Sequence, residues 1–306
     1  MKRTVGFIGL GIMGKPMAKN LLETGFPLVV FNRSKMPVNY LVKEGALSAD
    51  SPKEVAKQAE VIITMLPDSP EVEEVILGKE GVIHGAKPGF VVIDMSSINP
   101  LVTKEIARKL KEKGVGMLDA PVSGGETGAI QGTLAIMVGG EEKVFKDCME
   151  ILQAIGKNIS YVGGIGSGGY IKLVNQIIGA LNMAAIGEAF CLGVKAGLDP
   201  QLIYNVVRGG MVGNQLLEVK APIIFGRNFK PGFKTKLHYK DLSNALYAAK
   251  GLAVPLPLTS LVQEIFVSLV REGRGEDDNS VLVTFFEKMA GVEIKSTEMQ
   301  VEMSEG

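Results

Sequence analysis

"TVGFIGLGIMGKPMAKNL", residues 4–21, begins as an apolar run, is broken by Gly9, Gly11 and Gly14, and continues as a helix-like stretch. In a strand that ends in G-x-G-x-x-G and feeds a helix, each glycine has a task. The first makes a tight turn, the second lets backbone approach a pyrophosphate, and the third lets helix and strand pack closely. The leading amides and dipole of the helix then hold the phosphates. The spacing therefore predicts a dinucleotide site at Gly9, Leu10, Gly11, Ile12, Met13 and Gly14.

Outward from this turn, further β-type runs follow at residues 27–32, 61–66, 90–95, 116–121 and 133–139. They are nearly continuous in apolar residues, as expected of strands covered by helices on both faces. Helical stretches such as "TKEIARKLKEKG" (residues 103–114) lie between them. The pattern predicts a doubly wound, mostly parallel α/β Rossmann sheet over residues 1–164. From Gly166 strand signals vanish and helical periodicity runs to about Val292. An all-α second domain is expected over residues 165–294, opening with a long interdomain helix, and residues 295–306 read as a polar tail.

Composition bounds the partners. Among 306 residues, 33 basic side chains balance 33 acidic ones, so no summed field draws nucleic acid or an anionic membrane. A small molecule is the expected partner. Cys148 and Cys191 stand far apart, with no clustered histidines, which fits neither a disulfide framework nor a metal site and suits a cytoplasmic chain. The basic, apolar N-terminus imitates a secretory signal, but its glycines, Lys15 and Pro16 spoil the apolar core such a signal needs. Only the region from Leu173 to Gly187 approaches a membrane span; Asn175, Gln176 and Asn182 interrupt it, so it reads as a buried helix.

After the second run, "VVFNRSK" lacks the acidic residue that would bind the ribose hydroxyl of NAD. Asn32, Arg33, Ser34 and Lys35 offer donors and positive charge instead, which suits the 2′-phosphate of NADP, with NAD possible; the alternative is a solvated loop. In "DAPVSGG" (residues 119–125), Ser123, Gly124 and Gly125 offer a hydroxyl and open backbone amides, either an anion nest or a plain turn.

"GSGGYIKLVNQIIGALNMAAIGEA", residues 166–189, carries one cation, Lys172, before its first acid. Lys172, Asn175, Gln176, Gly179 and Asn182 share a helix face. A cation near a helix N-terminus meets a dipole unfavourable by a few tenths to ~1 kcal/mol, and partial burial acts the same way. A depressed pKa is expected for Lys172, a snorkelling side chain being the alternative.

"GFIGLGIMGKPMAKNL", "DAPVSGG", "GSGGYIKLVNQ" and "KDL" (residues 240–242) resemble, in order and spacing, the β-hydroxyacid dehydrogenases, over about residues 4 to 293. "DMSSINP", "RGG", "RNFKPGF" and "VPLPLT" make the tartronate semialdehyde reductase branch the most similar. The resemblance implies an N-terminal Rossmann domain, a helical C-terminal domain, a cleft between them, and a homo-oligomer, dimer or tetramer. It implies that Asn32, Arg33, Ser34, Met65, Leu66, Pro67 and Ser97 touch NADP or NAD, with Lys240 near the nicotinamide. Ser123, Gly124 and Gly125 would bind a substrate carboxylate, Lys172 would be the acid/base, and Phe233 and Asp241 are weaker candidates. Lys240 would also help to depress the pKa of Lys172. Several members carry asparagine four residues after the lysine; here Gln176 holds that place with Asn175 before it, so either amide is a candidate. The implied activity interconverts a short carboxylic semialdehyde and its hydroxyacid, with 3-hydroxyisobutyrate or glyoxylate/succinic semialdehyde chemistry as alternatives. A non-catalytic dinucleotide-binding regulatory module is the reading from another class.

Overall fold

In the computed structural model, which describes residues 2–296, the opening run becomes strand β1 (Val5–Ile8), and helix α1 (Gly14–Glu23) starts at the third glycine. Eight more strands follow: β2 (Leu28–Phe31), β3 (Leu47–Ser48), β4 (Val61–Thr64), β5 (Val91–Asp94), β6 (Gly116–Asp119), β7 (Val122–Ser123), β8 (Leu134–Gly140) and β9 (Gly156–Gly163). They form one sheet ordered β3-β2-β1-β4-β5-β6-β8-β7, with β9 on the far side of β8. Strands β1 to β6 pair in parallel, as do β8 and β9, while β8 runs antiparallel to β6 and β7. The expected mostly parallel sheet is thus present. Strands β3 and β7 are two residues long, too short for the sequence pattern to announce.

Helices α2 (Lys35–Lys43), α3 (Pro52–Gln58), α4 (Ser69–Leu77), α5 (Pro100–Lys111), α6 (Gly125–Gln131), α7 (Glu142–Asp147) and α8 (Met149–Gln153) connect the strands. Successive strand residues point to opposite faces. Phe7, Val30, Ile63 and Ile93 enter one apolar layer, and Ile8, Val29, Ile62 and Val92 enter another. Burial on both sides is why these strands read as continuous apolar runs.

The chain divides into two compact units, Met1–Leu173 and Val174–Gly306, and the division falls within the 29-residue helix α9 (Ser167–Lys195). Among the described residues of the second unit there is no named strand, only α10 (Pro200–Val207), α11 (Gln215–Phe225), α12 (Thr235–Gly251), α13 (Pro257–Arg271), α14 (Val283–Ala290) and short 3-10 turns. Its core gathers Met183 and Phe190 of α9, Leu217 and Phe225 of α11, Leu242 of α12, and Phe266 and Leu269 of α13. A buried ion pair, Lys220 to Asp278 at 2.8 Å, sits in this unit. Asp278 also accepts from the amides of Gly232, Phe233 and Ser280, at 3.0, 3.1 and 3.0 Å. Burial alone would raise its pKa; Lys220 and Ser280 outweigh that and hold it below the ordinary 3.8.

Helix α9 departs from the buried helix expected of its sequence. Ile171, Val174, Ile178 and Leu192 are exposed, and 28% of its most apolar stretch is buried. By length and composition it is the one helix among the described residues that could cross a membrane. Of the expected tail, residues 297–306 lie outside the described residues.

Candidate active site

The order of β3-β2-β1-β4-β5-β6 reverses direction between β1 and β4, and ligands of such sheets bind beyond the strand C-termini at that point. The glycine turn lies there. A β-carbon on Gly9 would run into the carbonyl oxygen of Met65, and one on Gly14 into that of Gly9. A β-carbon on Gly11 would meet nothing within 4 Å. Packing thus requires the outer two glycines, while the middle one keeps open a space that a side chain would fill. Helix α1 has no side-chain cap and no acidic residue in its first turn, which leaves its positive end and orphan amides for an anion. These features fit a dinucleotide pyrophosphate.

Asn32, at the tip of β2, is committed to holding this loop. Its Oδ1 accepts from the Leu10 amide at 3.0 Å, and its Nδ2 donates to the Ser34 carbonyl and hydroxyl at 3.1 and 3.0 Å. Arg33, beside it, is exposed. On β4 and β5, Thr64 Oγ1 donates to Asp94 Oδ1 at 2.8 Å, and the Leu66 amide donates to Ser96 Oγ at 2.9 Å. These bonds fix the turn of Met65 and Leu66, both half-buried, ahead of exposed Pro67; Ser97 follows β5 and is half-buried.

Farther along the same edge, β7 ends at Ser123, paired with Ala135. Gly124 (φ 137°) and Gly125 (φ 62°) follow, both in the left-handed region that disfavours side chains, and α6 begins. Nothing lies within 4 Å of a β-carbon on Gly125. The segment is a turn, and it is also sterically open.

Lys172 is the sixth residue of α9 and 8% exposed. The helix end before it is not a bare dipole. Asp119, 2% exposed at the tip of β6, accepts from the amides of Gly166 and Gly169 at 2.7 and 2.8 Å. Its burial pushes its pKa up to about 6, the two amides acting against that and the charge of Asp94 adding to it. That end of α9 thus faces a buried carboxylate, and Lys172 lies beyond the first turn.

In the second unit, Gln176 is buried and Asn175 exposed. Gln176 Nε2 donates to Asp241 Oδ2 at 2.5 Å, and Asn175 Nδ2 donates to Gln176 Oε1 at 2.9 Å. Lys240 lies 2.8 Å from Asp241 Oδ1, so its charge is balanced by a carboxylate. Two residues that the sequence reading missed complete this cluster. His238 Nε2 lies 3.0 Å from the Gln176 carbonyl oxygen, and Asn279 Nδ2 lies 2.9 Å from His238 Nδ1. Phe233 packs on the imidazole, ring centres 5.4 Å apart. The available signal was spacing: His238, three residues before Asp241, shares its helix face.

Known proteins resemble the chain over most of its length. A family model described as the NAD-binding domain of 6-phosphogluconate dehydrogenase matches residues 4–163. A second, described as NAD-binding of NADP-dependent 3-hydroxyisobutyrate dehydrogenase, matches residues 166–286. The 2-hydroxy-3-oxopropionate reductase of Escherichia coli is 45% identical, covering 94% of this chain and 98% of its own. The NAD-dependent L-serine dehydrogenase of Pseudomonas aeruginosa is 37% identical, covering 94% and 99%. Among solved structures, the 3-hydroxyisobutyrate dehydrogenase of Mycobacterium tuberculosis with L-serine superposes with a TM-score of 0.87 at 31% identity, covering 93% and 99%.

Proposed function

The chain belongs to the β-hydroxyacid dehydrogenases, the family of 3-hydroxyisobutyrate dehydrogenase, and from that premise we propose that it reversibly reduces a short carboxylic semialdehyde of the tartronate type, with NADPH preferred and Lys172 as acid/base. It is an NAD(P)-dependent oxidoreductase. The observation that carries the finer reading is the C-terminal edge of the sheet in the first unit. There the open glycine turn, the left-handed Gly124-Gly125 pair and the start of the Lys172 helix all emerge.

The glycine turn and the Met65-Leu66 turn would hold the dinucleotide, which supplies hydride when bound. Ser123 and the amides after it grip the substrate carboxylate. Lys172 donates a hydrogen bond to the carbonyl oxygen and gives it a proton as the carbon is reduced; in the reverse direction its neutral amine takes that proton back. Burial of Lys172 favours release of the proton. Asn175 and Gln176 both stay candidates for orienting the carbonyl group: Gln176 is buried and engaged by Asp241 and Asn175, whereas Asn175 is exposed. Phe233 and Asp241 then act by holding Gln176 and His238 in place.

With Asn32 committed to the loop, NADP preference rests on Arg33 and its neighbours. The two free, widely separated thiols support a cytoplasmic location in this reading. Neither nucleic acid nor membrane is a partner in this reading. Steady-state assays of tartronate, methylmalonate and succinic semialdehydes and glyoxylate, each with NADPH and NADH, test it. Highest kcat/KM is expected for tartronate semialdehyde with NADPH; turnover of none would overturn the reading, and a better competing semialdehyde would overturn the substrate.

A further inference from the structure

Asp119 is a carboxylate placed where burial opposes its charge, and three features show that the site is built around it. Both oxygens accept amide hydrogens, from Gly166 and Gly169, on either side of the first residue of α9. The neighbouring chain is shaved to admit them: a β-carbon on Gly139 would lie 2.5 Å from Asp119 Oδ1, and one on Gly168 2.6 Å from the Asp119 carbonyl oxygen. Asp119 also stands in register with Asp94 on the adjacent strand, whose own carboxylate is held by Thr64 and the Ser96 amide. A helix terminus exposed to water needs no such arrangement.

We propose that Asp119 is a positioning residue for Lys172: its ionised carboxylate clamps the first turn of α9 to the sheet edge and so fixes where the lysine amine is presented. This rests on the reading of Lys172 as the acid/base. Lys172 is one turn beyond Gly169, so the clamped amide and the lysine share a helix face. Two oxygens on two amides, those of Gly166 and Gly169 on the near side of Lys172, define both the depth and the rotation of the helix, which a single hydroxyl cap would not. Protonation turns one of these acceptors into a donor facing an N–H, and one side of the clamp opens. The titratable groups on the elements packed here are Asp94 on β5, Lys104 on α5, and Tyr170 and Lys172 on α9. With the Asp119 pKa lifted to about 6, the clamp opens within the range where the enzyme can be assayed.

In the reductive direction the two groups act on opposite limbs of the pH profile. Lys172 must be protonated, so its titration ends activity on the alkaline side; Asp119 must be ionised, so its titration ends activity on the acid side. The test is kcat and KM for wild type and Asp119→Asn from about pH 5 to about pH 9, with NADPH affinity read from nicotinamide fluorescence. The wild-type acid limb is expected near pH 6, and Asp119→Asn is expected to lower kcat about tenfold or more, flatten that limb, and leave the alkaline limb and NADPH affinity unchanged. Wild-type kcat with an unchanged acid limb in the variant would overturn the proposal. Should the variant not fold, 15N-glycine spectra of the wild type decide: the Gly166 and Gly169 amide signals move together with a midpoint near pH 6, or, if the proposal is wrong, do not titrate there. Lys172→Met separates this from the parent reading. An inactive Lys172→Met beside an unaltered Asp119→Asn sinks the positioning role alone, whereas an active Lys172→Met sinks the acid/base.

Discussion

At the scale of single residues, polar groups that the sequence shows as isolated letters are sorted by their partners. Asn32 has the composition of a phosphate ligand, yet its oxygen and nitrogen bond within the loop, and the proposed preference for NADP therefore rests on the exposed guanidinium of Arg33. Loss of a charge-assisted hydrogen bond of about 1.5–3 kcal/mol predicts that Arg33→Asp lowers the NADPH-to-NADH ratio of kcat/KM by roughly ten- to a hundredfold. An unchanged ratio in paired assays would refute the assignment. Asp119 shows the other side of such sorting. Its folded pKa of about 6 lies above the ordinary 3.8, so its contribution to stability is fully present below the unfolded value and lost as pH rises through about 6. Keeping it ionised near neutrality costs about 3 kcal/mol, which is why a role in function, not in stability, accounts for it. Lys172 and the Ser123-Gly124-Gly125 turn were legible as motifs. Asp119 and His238 were not, because their partners lie 47 and 62 residues away and no local pattern encodes those pairings.

At the scale of elements, the strands were legible because burial on both faces writes a continuous apolar run, and α1 because glycines punctuate its start. Strands β3 and β7 carry two residues each and leave no periodic trace. Helix α9 was legible in extent and misread in burial: a helix apolar on most sides can be either enclosed or awaiting a partner. Ile171, Val174 and Ile178 form an exposed row on α9, and Leu202 and Val206 form another on α10. Exposed apolar rows of this kind favour association with a second copy over lone folding. Light scattering after size exclusion should give at least twice the 32.6 kDa chain mass at micromolar concentration. A monomer mass there would contradict the homo-oligomer.

At the scale of the whole molecule, the sequence divides its labour by texture: an alternating half that builds a sheet with an open C-terminal edge, and a helical half with its own core. What the texture leaves out is the tuning of the site. Lys240 is paired with Asp241, and the end of α9 is held by Asp119. Lys172 is itself buried, which disfavours its charged form. The claim on which the account turns is that Lys172 moves the proton while the glycine turn holds the dinucleotide independently of it. Lys172→Met keeps the apolar length of the side chain and removes the amine, so kcat and NADPH affinity measured on the same preparation test that separation. The account predicts a fall in kcat of about a thousandfold with unchanged NADPH affinity; turnover within about tenfold of wild type would contradict it.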